Sequence, residues 1–274
     1  MTNNIHPTAI IEKSVQLGDN IEVGPYCYIS GNVKISDNNK LLSHVVIKGN
    51  TIIGENNKFY PFSNIGEIPQ DLKFKNELSK TIIGNNNQIR ENVTIHSGTE
   101  LGNKYHDIYN VTKIGDNNLL MVGSHIAHDC VVGNNNILAN NATLAGHVSI
   151  ADNVIIGGLS AIQQFVRIGD FAIIGGMSGI DNDVIPYAMV IGERANIAGV
   201  NIIGLKRNNF SKDNIKNIKN AFDDIFANNE HDIIDKTKNL SKSYPDNIYI
   251  KNIIEFIKTS NNKALLKTKD YKQQ

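Results

Sequence analysis

The segment Ser124-His125-Ile126-Ala127-His128-Asp129-Cys130 gathers three titratable side chains around one aliphatic residue. An imidazole beside a carboxylate can take a proton near neutral pH, which is the task of a general base. Eighteen residues beyond His128 stands Gly146, and eighteen beyond Asp129 stands His147. A glycine facing a histidine would leave an open slot and a backbone N–H able to steady an oxyanion. Two other readings stay open on these residues. His125, His128 and His147 would also serve as a zinc set, and such a cluster can pack a subunit interface.

The spacing of eighteen matters because of the repeat that carries it. Aliphatic residues recur every sixth position from Ile5 through Ile11, Leu17 and Val23 to Ile65, with Phe59 on the same series. The series resumes at Ile83 to Ile95 and again at Ile114 to Ile180. A hexapeptide period is the signature of a parallel β-helix. The residue four after each aliphatic is usually small or β-branched, and it shares a strand face with the next aliphatic. Turns such as Gly115-Asp116-Asn117 and Gly133-Asn134-Asn135 tolerate the left-handed backbone that a tight corner requires. Three hexads close one triangular coil, so residues eighteen apart stack vertically, about 4.8 Å from one another. Asp116, Asn134, Asp152 and Asp170 set that register. His125, His128, Asp129, His147 and Gln164 then converge on one edge of the prism. An accidental period in a β-sandwich would not run so long. Gly157-Gly158 and Gly175-Gly176 also fall in register, either as a groove for an apolar chain or as a plain turn requirement.

Lys+Arg and Asp+Glu both total 27, so the net charge of +0 gives no global attraction to nucleic acid or an acidic membrane. No basic-then-apolar leader and no long apolar span are present, so a cytosolic protein is expected. Cys27 and Cys130 occupy inward positions and read as buried small hydrophobes rather than a disulfide or a nucleophile. The ladder breaks at 67–80 and at 97–112, two excursions where functional residues concentrate. The hexads fade after Pro186. Ser211 then reads as a helix cap, with Ile215, Ile218, Phe222 and Ile225 at helical spacing and two further helical segments behind them. The chain divides into a β-helix domain, 1–190, and a helical C-terminal domain, 191–274, with a tail expected to fray from Lys267. Lys206, Arg207, Lys212, Lys216 and Lys219 make the start of the second part basic, as a solvated face or a docking patch. His6, His44, His96, His106 and His231 read as structural or solvated.

Three stretches resemble the acyl-[acyl-carrier-protein]–UDP-N-acetylglucosamine O-acyltransferase family: Ser124–Cys130, Ile137-Leu-Ala-Asn-Asn-Ala-Thr-Leu-Ala-Gly-His147, and Val200-Asn-Ile-Ile-Gly-Leu-Lys-Arg207. The resemblance covers essentially the whole chain. It implies a left-handed β-helix, a homotrimer with active sites between subunits, and the first step of lipid A synthesis. The donor would be a (3R)-3-hydroxyacyl chain on acyl carrier protein, and the acceptor the 3-hydroxyl of UDP-N-acetylglucosamine. By resemblance, His128 is the general base, Asp129 its acidic partner and Gly146 the oxyanion N–H. His125 and His147 line the sugar and acyl groups, and Gln70, Asp71 and Lys73 form a substrate-contact loop. Gln164 contacts sugar or pantetheine, Asn201 and Arg207 the nucleotide end, and Gly176 sets acyl length by admitting a long chain.

The expected mechanism is direct transfer with no covalent enzyme intermediate. A thioester is already activated, so no metal or organic cofactor is expected. The chain departs from the family at Gln163, where His is common and where a substrate contact is expected. It departs again at Ile203, where Glu is common, and at Asn208, where a second Arg is common. The 97–112 loop is longer than usual. The same transfer to a 3-amino sugar, a trimeric zinc hydratase or lyase, and a non-catalytic scaffold are the alternatives.

Overall fold

The structure is a computed structural model that describes residues 2–226, 233–259 and 263–268. The hexads build a three-faced parallel β-helix whose sheets, among the described residues, hold eleven, nine and eight strands, the last strand of the first sheet being antiparallel. The first face starts at Asn4–Ile5, the second at Ile10–Ile11 and the third at Gln16–Leu17. Most strands hold two residues between corners, and some hexads carry four, as in Asn32–Ile35 and Asn50–Ile53. The register is the expected one: His125 pairs with Thr143, Thr143 with Ala161 and Ala161 with Gly179. Corner side chains close the stack further. Oδ1 of Asn134, Asp152 and Asp170 accepts from the backbone N of Asp116, Asn134 and Asp152 below.

From the second coil on, the aliphatic positions inside the prism are sealed; Ile47, Ile65, Ile89, Ile126 and Leu144 are fully buried, whereas Ile5 at the open first coil is exposed. The interior is not wholly apolar. Asn39, Asn57, Asn87, Asn118 and Asn136 stack as a buried ladder beside the first face. Each Oδ1 accepts from the backbone N one coil on, at 2.7–2.9 Å. This satisfies corner backbone groups that would otherwise be buried unpaired. Cys27 and Cys130 are free and buried, and burial pushes the Cys130 thiol up to about 12. That thiol is an inert core group, as expected.

Both excursions leave the same corner, between the second and third faces. The first joins Asn64–Glu67 to Lys80–Ile83 and the second joins Thr94–His96 to Val111–Ile114. On the three coils that follow, that corner carries Asp129, His147 and Phe165, each in the left-handed region at φ 59°, 63° and 66°. Histidine and phenylalanine rarely adopt this conformation, so the surrounding coil must impose it.

Ala188–Ile191 closes the parallel stack, and Asn196–Val200 pairs with it antiparallel. The division after residue 190 falls inside the first of these strands. Four helices follow among the described residues: α1 (Ile202–Arg207), α2 (Lys212–Phe226), α3 (Ile233–Ser243) and α4 (Ile248–Lys258). Ser211 Oγ accepts from Asn214 N at 3.1 Å, as expected of a cap. No helix among the described residues is long and apolar enough to cross a membrane. The expected fraying from Lys267 is corrected in part. Lys267 O accepts from Ile197 N at 2.9 Å, and Leu265 and Thr268 bridge Asp183 and Ile197. Residues 269–274 and His231 lie outside the described residues.

Candidate active site

The corner brings His128, Asp129 and His147 together as the spacing requires. His128 Nδ1 lies 2.8 Å from Asp129 Oδ2, and His147 Nδ1 lies 3.6 Å from the same oxygen. All three side chains are buried. A carboxylate only accepts, so His128 Nδ1 carries the proton and Nε2 is left as the basic nitrogen. His147 Nδ1 donates to Gly102 O at 2.8 Å, which fixes its tautomer too. The two rings meet edge to face at 4.9 Å, and His147 stacks on Phe165 at 4.4 Å.

Gly146 faces His128, but the slot between them is not open. A Cβ on Gly146 would meet His128 Cε1 at 2.5 Å and Nε2 at 2.6 Å. The glycine is needed because the imidazole lies against its backbone. Among the described residues no acceptor bonds the Gly146 N–H, so that donor remains beside the basic nitrogen.

The 97–112 excursion, to which the sequence alone assigns no role, holds the centre in place. Thr99 N and Oγ1 donate to Asp129 Oδ1 and Oδ2 at 2.7 and 2.6 Å. Asn103 Nδ2 donates to Asp129 O at 3.0 Å and to His147 O at 3.3 Å. His96, expected to be structural or solvated, borders the site and is not solvated. It is buried, packs edge-on against His125 at 4.9 Å, and its Nδ1 has no partner. His125 Nδ1 bonds Thr94 Oγ1 at 2.7 Å. Burial, then the neighbouring His96 and His128, pull His125 down to about 4, so it is neutral at physiological pH. Burial likewise lowers His96 and His147.

From His125 the outward row of the second face shrinks through Thr143 and Ala161 to Gly179. Side-chain bulk on this row therefore falls along the coils, away from the imidazoles. The paired glycines divide in their reasons. Gly157 is required because the backbone N of Gly176 stands 2.4 Å from where its Cβ would be, whereas the nearest atom to a Cβ on Gly175 would be in the exposed Ile191 side chain, at 2.9 Å. Gly158 and Gly176 have only a backbone oxygen at 3.2 Å, and Gly176 is exposed.

Other expected residues lie apart from this centre. Gln70 and Lys73 are exposed on the first excursion, where Lys73 N donates to Asp71 Oδ1 at 3.0 Å. Asp71 is near enough for its charge to act on His147. Gln164 is exposed at the corner, and Gln163 Oε1 accepts from Lys263 Nζ at 2.9 Å. Asn201 is buried, caps α1 through Gly204 N at 3.0 Å and donates to Phe171 O at 2.8 Å. Arg207 is exposed at the end of α1, and Ile203 is exposed too. His128, Asp129 and His147 place potential ligand atoms within 4.8 Å of one another. The nitrogens turned toward Asp129 carry protons, and both carboxylate oxygens are bonded to Thr99. Such a set favours proton handling over metal binding.

Residues 183–265 match the second domain of UDP-N-acetylglucosamine O-acyltransferase, and residues 112–146 match the bacterial transferase hexapeptide repeat. The acyl-[acyl-carrier-protein]–UDP-N-acetylglucosamine O-acyltransferase of Rickettsia prowazekii is 48% identical over 96% of this chain and 97% of its own. That of Rickettsia bellii is 49% identical over 96% and 91%. The solved UDP-N-acetylglucosamine acyltransferase of Bacteroides fragilis superposes with a TM-score of 0.90 at 39% identity, over 96% of this chain and 100% of that one. LpxA from Acinetobacter baumannii gives 0.89 at 42%, over 95% and 99%. Identity at this level, over nearly the full length of both partners, places the chain in the acyl-[acyl-carrier-protein]–UDP-N-acetylglucosamine O-acyltransferase family.

Proposed function

We propose that this chain transfers a (3R)-3-hydroxyacyl group from acyl carrier protein to the 3-hydroxyl of UDP-N-acetylglucosamine, the first step of lipid A synthesis. The observation that carries the mechanism is the His128 Nδ1 to Asp129 Oδ2 bond of 2.8 Å, with Asp129 itself held by Thr99. His128 Nε2 takes the proton of the sugar 3-hydroxyl as that oxygen attacks the thioester carbonyl. Asp129 orients the ring and stabilises the imidazolium. The Gly146 N–H donates to the tetrahedral oxyanion. Collapse expels the pantetheine thiolate, and the imidazolium returns the proton to it. No covalent enzyme intermediate forms, and neutral His125 and His147 line the reacting groups without adding charge.

The acyl chain runs along the shrinking row from His125 to Gly179, with Gly176 at its far end. Gln70, Asp71, Lys73, Gln163, Gln164, Asn201 and Arg207 complete the substrate contacts. The residues remote from His128 within one chain serve the site of a neighbouring subunit in a homotrimer.

His128→Ala should lower turnover by roughly 10²–10⁴-fold while the assembly stays folded. The assay follows product mass with acyl carrier protein thioesters and an equal mixture of UDP-N-acetylglucosamine and its 3-amino analogue. Near-normal turnover by that variant would remove His128 as the base. An amide product formed in preference to the ester would overturn the acceptor.

A further inference from the structure

A second cavity, of about 380 Å³, lies on the third face, beyond His147. Its floor is Ser149 and Arg167, outward residues of strands Ser149–Ile150 and Arg167–Ile168. The second excursion roofs it with Leu101, Asn103, Lys104 and Tyr105, and the C-terminal segment closes one side with Lys263. The proposed transfer centre uses the other flank of the corner, where His125, His96 and the shrinking row of the second face lie. His147, its ring stacked on Phe165, is the wall between the two.

The lining combines apolar walls with excess positive charge. Leu101, Tyr105 and Phe165 supply apolar surface and are partly exposed. Arg167, Lys104 and Lys263 face a single carboxylate, Asp183. Arg167 is fully engaged. Its Nε and Nη2 each lie 2.7 Å from Asp183 Oδ2, and its other donors go to Phe256 O and Thr259. Its guanidinium also stacks with Tyr105 at 4.7 Å and Phe256 at 4.3 Å. That buried pair is close to neutral and rigid, so the net charge falls to the two lysines. Lys263 donates to Gln163 Oε1 at 2.9 Å and Asp181 O at 3.1 Å, which fixes its ammonium at the rim.

We propose that this cavity is a ligand site separate from the transfer centre, for a small carboxylate with an aliphatic or aromatic body. The volume falls within the range of small-molecule pockets. The rings and Leu101 bury the body, and Lys104 and Lys263 meet the carboxylate. Three of its walls also support the catalytic residues. Asn103 holds the backbone of Asp129 and His147, His147 belongs to the centre, and Lys263 holds Gln163. An occupant therefore bears directly on the geometry of the transfer centre. Binding here does not depend on the acyl-transfer reading.

Calorimetric titration of the full-length protein with octanoate and benzoate, each against its uncharged amide, tests the site. At least one carboxylate should bind saturably at millimolar concentration or below, and the matched amide should bind about tenfold more weakly or worse. Lys104→Glu and Lys263→Met should each weaken the carboxylate by a similar factor, and His125→Ala should leave it unchanged. Lys104 is on an exposed loop, so its variant keeps the fold. No saturable binding, or equal binding of acid and amide, would overturn the proposal. So would sensitivity to His125→Ala without sensitivity to Lys104→Glu, which would place the ligand on the proposed acyl path.

Discussion

Asp129 Oδ2 accepts from both the His128 ring and the Thr99 hydroxyl, at 2.8 and 2.6 Å. The geometry makes Thr99 a positioning residue that acts through Asp129. Thr99→Ala removes one charge-assisted bond and should lower kcat by roughly 10–100-fold with KM little changed. Loss of that donor leaves the carboxylate better able to stabilise the imidazolium. The acid limb of the pH–rate profile should therefore move to higher pH. Thr99→Ser should restore both rate and limb; a drop in rate with an unmoved limb would mark a merely structural role. His125 gives a second residue-scale prediction. Its value of about 4 in the folded state lies below the ordinary 6.5, so the unfolded chain binds more protons between these values. Stability should fall as pH drops from about 6.5 towards about 4, and His125→Gln should flatten part of that slope in thermal melts. His128, Asp129, His147 and His125 were legible because all lie on the repeat, where adding eighteen finds the neighbour. Thr99, Gly102 and Asn103 sit on an excursion with no register, and His96 lies across that same break from His125. The sequence showed where the loop left the coil, not where its hydroxyl pointed.

Most hexads offer only two strand residues, so lateral order comes from stacking rather than from strand length. The aliphatic period was therefore readable from Ile5 to Ile180, and so were both breaks in it. The buried asparagines were not. They occupy inward positions that the pattern reserves for small or β-branched residues, and a period counted on aliphatics passes over them. Their chemistry explains the exception, since each amide closes the corner of its own coil and the next. Asn87 is the best test. Its Oδ1 accepts from Asn118 N and Nδ2, and its Nδ2 donates to Asn57 Oδ1 and Gly115 O. Asn87→Ala leaves several of these groups buried and unpaired and should cost about 1–3 kcal/mol per group left unsatisfied. Denaturant unfolding followed at fixed protein concentration measures it. A variant as stable as the parent would show that the ladder contributes no net stability.

At the scale of the whole molecule, the residues expected to contact substrate do not form one cluster within one chain. His128 lies at the corner of the second and third faces, while Arg207 is exposed on α1, beyond the last coil. The first excursion ends in exposed apolar side chains: Leu72 is 106% exposed and Leu78 is 90% exposed. Surface of that kind on a projecting loop fits burial against another subunit. Exchange between subunits can test the trimer with shared sites. His128→Ala and Arg207→Ala should each be nearly inactive alone. Denatured together in equal amounts and refolded, they should form random trimers under the proposed assembly. If each site takes His128 from one subunit and Arg207 from its neighbour, about a quarter of the sites regain both residues by the symmetry of a closed ring. Activity should rise to that fraction of the parent refolded in the same way. If both residues serve a site within one chain, no mixture regains a complete site and activity stays at the level of the separate variants. The family resemblance already implies sites between subunits, and the placement of α1 away from the corner supplies a physical reason for it.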